Sequence, residues 1–135
     1  MQALRFSTII VWVHFVLAGL HGGAHLALGV QLSIAQWLFV TVVIAAAPIL
    51  AWTRLRRGEV RHGSALLALS LGASFVFGFY NHYFSATADN VAHVPGGALG
   101  HLCMTTAALV AVTEAAGTLA GCLLWVRPSA KRTTT

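Results

Sequence analysis

The chain has 135 residues, of which 58% are hydrophobic and only 8% charged, and its net charge is +5. A soluble domain carries about 25% charged residues, so an ordinary water-soluble globular protein is excluded. The basic residues lie between or beyond the apolar stretches and are not interleaved with stacking aromatics, which excludes a nucleic-acid partner.

Four segments, at about 6–28, 34–53, 64–84 and 98–126, are apolar and long enough to cross a hydrocarbon core that needs about 20 residues of helix. They predict an all-α integral membrane protein: four transmembrane helices in an antiparallel up-down bundle, one membrane domain over 1–135, with a flexible tail at 127–135. The lipid bilayer is its first partner.

The first segment follows Arg5 and carries His14, His21 and His25. Ala27-Leu28-Gly29 resembles a signal-peptide cleavage pattern, but signal cores run about 7–15 residues; this segment is longer and holds three histidines, so a retained helix is expected. At about 100° per residue the three histidines fall within about 40° of one another, in one stripe that must face protein or water. Gly19, Gly22 and Gly23 lie between them and admit a neighbouring backbone or a flat cofactor.

The second segment has neither histidine nor acid, so it should support any site from outside, with a kink where Ala45-Ala46-Ala47 meets Pro48. Arg54, Arg56, Arg57 and Arg61 follow it. The third segment carries the small-residue pattern Ser70-xxx-Ser74, the aromatics Phe75, Phe77, Phe79, Tyr80, Tyr83 and Phe84, and His82 at its end. A short connection with Asp89, His93 and a bend at Pro95-Gly96-Gly97 leads to the fourth, which opens with His101, Cys103 and Met104, buries Glu114 and ends beyond Gly117-xxx-Gly121.

Lysines and arginines are retained on the cytoplasmic side of short loops. Arg5, the Arg54–Arg61 group and Arg127, Lys131 and Arg132 all fall on one side of a four-crossing chain, so both termini are expected in the cytoplasm. The protein is expected in a bacterial inner membrane as a multi-pass chain.

That orientation gathers His21, His25, His82, His93 and His101 near the opposite, outer face, with His25, His82 and His101 in one layer and His93 folding over it with Asp89. His21-Gly-Gly-Ala-His25 places two imidazoles on successive turns of one helix face, the local geometry for chelating one ion. The expected metal ligands are therefore His21, His25, His82, His93, His101 and Asp89. Imidazole suits copper, zinc and iron, and the soft atoms of Cys103 and Met104 favour copper.

Haem b is the alternative cofactor, held by His25, His82 or His101 in the bis-imidazole manner of four-helix bundles. The outer face, however, has no arginine or lysine for the propionates. Deeper in the membrane, Glu114 lies within about one turn in depth of His14. An ionised carboxylate there costs about 2.5–3.5 kcal/mol, so the two are expected to form an intramembrane hydrogen-bonded pair, either a clasp between helices or a proton step.

Cys103 and Cys122 are almost 30 Å apart along one helix, which rules out a disulfide between them within the chain. No nucleophile elbow, phosphate loop or dinucleotide fingerprint is present, and no enzyme class is assigned. The functional expectation is metal handling or redox in the cell envelope. The alternatives are a small b-type cytochrome exchanging electrons with quinone, and an accessory subunit of a homo-oligomer or larger membrane complex.

Overall fold

The computed structural model describes residues 2–126, and among them the chain forms four long helices: α1 (Gln2–Ala27), α2 (Ile34–Arg56), α3 (Val60–Tyr83) and α4 (Ala98–Trp125). All four are long and apolar enough to span a bilayer. The tail at 127–135 lies outside the described residues.

Three boundaries run past the apolar segments, the first being that of α1, which begins at Gln2, ahead of Phe6. Helix α2 continues through Arg54 and Arg56, and α3 begins at Val60, before the apolar run at Ser64. Hydropathy stops at the first charges, whereas the backbone hydrogen-bond ladder continues until the turn at Arg57-Gly58-Glu59 breaks it. Gly58 takes φ +82° there, a left-handed conformation that glycine adopts without steric cost, and Arg54 closes the turn on Glu59 at 2.8 Å.

The four helices form a ring in which α4 packs between α1 and α3, and α2 packs along α3. Such a ring is consistent with an up-down membrane bundle. Helix α2 touches α1 mainly through its Ala47–Arg56 half, where Trp52 donates to the Thr8 hydroxyl at 3.0 Å and stacks edge-on against Trp12. The apolar core lies in the same half: Ile10, Val11, Ala51, Leu55, Leu67, Leu71 and Ala120 pack together there.

Small residues set the closest crossing. A Cβ at Gly121 would stand 2.8 Å from the Ser64 carbonyl oxygen and 2.7 Å from the Ala68 nitrogen, so α3 and α4 meet there at backbone distance. The glycines of α1 behave differently from expectation. Gly19, Gly22 and Gly23 have nothing within 4 Å of where a Cβ would lie, so they leave open space beside the histidine stripe instead of admitting a neighbouring backbone.

The disturbance expected before Pro48 takes a definite form. Val40–Ala46 is π-helical, so α2 is underwound in its middle and regains α geometry at Ala47. In an uninterrupted α-helix the Ile44 carbonyl would accept from residue 48, which is proline and has no N–H. His14 supplies a donor instead, its Nε2 lying 3.2 Å from that oxygen.

Candidate metal centre

Three imidazoles converge at the end of the bundle where α1 and α3 finish and α4 begins. The ring centroids of His21 and His25 are 4.2 Å apart, those of His21 and His82 4.8 Å, and those of His25 and His82 5.5 Å. The one-turn spacing on α1 brings the first two together, and the α1–α4–α3 packing brings His82 across to them.

Asp89 completes the group from the loop between α3 and α4. That loop folds back on the end of α3: Val91 donates its N–H to the His82 carbonyl at 2.9 Å, and the Asn90 side chain donates to the Ser85 carbonyl at 2.8 Å. The Asp89 carboxylate is thereby buried, with Oδ1 2.9 Å from His25 Nε2 and 3.2 Å from His82 Nδ1. Burial pushes the Asp89 carboxyl up, but the imidazoles of His25 and His82 beside it outweigh that and hold it well below the usual carboxylate range.

Proton placement in this group follows from its neighbours. His82 Nδ1 lies 2.9 Å from the Asp89 carbonyl oxygen, which only accepts, so Nδ1 carries the hydrogen. The Thr106 hydroxyl donates to the Leu102 carbonyl at 2.7 Å, so its oxygen accepts from His21 Nδ1 at 3.1 Å. In neutral rings both Nε2 atoms are then left with a bare lone pair, and they face each other across 3.0 Å. Two lone pairs at that distance repel unless a cation lies between or beside them, either a proton or a metal ion.

His25 repeats the pattern. Its Nε2 stands 2.9 Å from Asp89 Oδ1, and without a proton or a metal ion between them both are buried acceptors with no hydrogen-bond donor among the described residues. Unsatisfied buried acceptors carry a desolvation cost of about 1–3 kcal/mol each. Converging donor atoms of this kind are what a cation-binding site presents.

Among the described residues, two sets of side chains hold their ligand atoms within 4.8 Å of one another: His25, His82 and Asp89, and His21, His25 and Cys103. Both are capable of coordinating a metal ion. The Thr106 hydroxyl and the Asp89 carbonyl take the remaining ring N–H groups of His21 and His82, as outer partners of metal-bound histidines do.

The other expected ligands lie apart from these sets. His101 is exposed on α4, about 200° around the helix from buried Cys103, so the two cannot share a face. His93 is exposed in the loop and bonds the Thr87 carbonyl through Nδ1 at 3.0 Å, so it is held by its own loop and does not cover the histidines. Met104 is 41% exposed, turned away from Cys103. Thr106 went unnoticed in the sequence, where nothing distinguishes it from its neighbour Thr105.

A chamber of about 130 Å³ runs from this group into the membrane half of the bundle. Its upper wall is His21, His25, His82 and Asp89, its sides are mostly apolar, and Glu114 lies at its far end. Glu114 and His14 are both almost fully buried and their nearest side-chain atoms are 3.9 Å apart. That is beyond direct hydrogen-bond reach: the pair expected from their depths is adjacent but not bonded, because His14 is drawn by its other nitrogen to the Ile44 carbonyl.

Comparison of the chain with protein-family models, with curated proteins and with solved structures found no match in any of the three.

Proposed function

We propose that the protein binds a transition-metal ion through His21, His25, His82 and Asp89, with Cys103 as a further donor, and that it handles that metal or uses it for redox in the cell envelope. The observation that carries this reading is the meeting of His21 Nε2 and His82 Nε2 at 3.0 Å with their other nitrogens already engaged. Ligand nitrogens around one ion, at bonds of about 2.0–2.1 Å, stand roughly 3.3 Å apart, so a small adjustment admits the ion.

Imidazole with a thiol and one carboxylate is a donor set for copper, zinc or iron, of which copper is the ion proposed. The chamber supports an ion over a macrocycle: at about 130 Å³ it falls well short of the roughly 300–1,000 Å³ of pockets that bury larger organic ligands. The distribution of arginines supports a reading with the metal end on the outer side of a bacterial inner membrane and the N-terminus inside.

The test is elemental analysis and electron paramagnetic resonance on protein extracted in mild detergent without chelators. About one copper per chain, lost in His21→Ala and His82→Ala variants that keep their helical circular dichroism, is the expected result. A metal content unchanged by both substitutions sinks the proposal, and a Soret band replaces it with the haem alternative.

A further inference from the structure

Beyond the metal ion, the chamber beneath it has features of an organic binding site. An engineered apolar cavity of roughly 150 Å³ accepts benzene, so about 130 Å³ matches a single six-membered ring. Trp37 and Phe77 line its sides and offer aromatic faces. The chamber lies where α1 and the Ile34–Ala46 half of α2 hardly touch, and exposed Leu26 and Trp37 stand at that gap, so it opens sideways toward the bilayer.

The far end of the chamber is selective. Glu114 is 2% exposed, lines the cavity, and among the described residues no hydrogen bond reaches its carboxyl. His14 Nε2 gives its hydrogen to the Ile44 carbonyl, which leaves Nδ1, also buried and unpartnered, facing Glu114. At 3.9 Å the two groups do not satisfy each other, whichever of them carries a proton. A ligand hydroxyl, which both donates and accepts, can serve the carboxyl in either protonation state, whereas an ether or a bare carbonyl can serve it only when it is protonated.

We infer that the chamber binds the ring of a lipid-soluble phenol or quinol, which enters from the bilayer between α1 and α2 and donates its hydroxyl hydrogen to Glu114. An ether or an acceptor-only carbonyl of the same size lacks that bond. This inference does not depend on the metal centre, since Glu114 lies about 12 Å along α4 from Thr106, which bonds His21.

The experiment titrates 4-fluorophenol and 4-fluoroanisole into the protein in phosphatidylcholine nanodiscs, with empty nanodiscs as reference, and follows fluorine NMR. Saturable binding of the phenol is expected, with the anisole about tenfold weaker for the loss of one hydrogen bond. Glu114→Leu should reduce the phenol to the level of the anisole. Glu114→Gln should keep phenol binding, because the amide oxygen still accepts from the hydroxyl. Ala111→Phe, which fills the chamber wall, should abolish both.

Chelator-treated and metal-loaded protein should behave alike, so failure of the metal reading leaves this result standing. Equal binding of phenol and anisole to the unsubstituted protein, or no saturable binding of either, overturns the inference. So does a preference that survives Glu114→Leu.

Discussion

His21 and His82, sixty-one residues apart in the chain, meet through their Nε2 atoms at 3.0 Å while the Nδ1 of each is held by an acceptor of its own, Thr106 for one and the Asp89 carbonyl for the other. Each ring is thereby fixed in orientation and tautomer. Thr106→Val removes the acceptor behind His21 while keeping the shape of the side chain. Metal affinity, measured by competition with a chelator, is expected to fall about 10–100-fold, the usual effect of removing an outer partner of a metal-bound histidine. An unchanged affinity would remove His21 from the coordination sphere.

Asp89 should leave a pH signature in chelator-treated protein. Its carboxyl lies below the usual carboxylate range in the folded state, so the ionised form is favoured by folding. The stability it contributes is fully present above the unfolded value of about 3.9 and is lost as pH falls below it toward the folded value. Thermal unfolding of the parent and Asp89→Asn proteins should therefore differ at neutral pH and converge in strong acid. Parallel pH profiles down to the lowest pH tested would contradict this.

Two glycine-to-alanine substitutions should separate the packed half of the bundle from the open one. At Gly121 the added methyl meets the backbone of α3 at 2.7–2.8 Å, and overpacking of this kind costs about 1–3 kcal/mol. At Gly23 it meets nothing within 4 Å, and the better helix propensity of alanine makes the change neutral or favourable by up to about 1 kcal/mol. Unfolding of the two variants in mixed micelles should show the first destabilised and the second not.

Pro48→Ala restores an N–H that competes with His14 for the Ile44 carbonyl. The π-helical Val40–Ala46 segment should then relax toward α geometry, and His14 Nε2 should lose much of its acceptor. Nitrogen NMR of labelled His14 should show a defined Nε2–H tautomer in the parent and a tautomer mixture in the variant. A single, unchanged tautomer in both would place the hold on His14 elsewhere.

The site was partly legible beforehand for reasons that differ residue by residue. His21 and His25 lie one turn apart on a single helix, so their proximity follows from helical geometry alone. His82 could be placed at the same depth because helix ends mark the membrane boundary. His101 satisfied the same depth criterion yet lies outside the cluster, since depth says nothing about rotation around the helix. Asp89 and His93 share a loop, and only its internal hydrogen bonds decide that the aspartate reaches inward and the histidine does not.

Length and hydropathy are local properties, so the amino-acid order alone determined four helices of bilayer-spanning length, the turns between them and the separation of the arginines from five of the seven histidines. Which face of each helix turns inward was decided only by tertiary packing. Helices α1, α3 and α4 are apolar around nearly their whole circumference, so no stripe of hydrophobicity fixes their rotation. Contacts such as Gly121 against the Ser64 carbonyl and His14 on the carbonyl freed by Pro48 set those rotations, and with them the set of side chains that surround the metal site and the chamber below it.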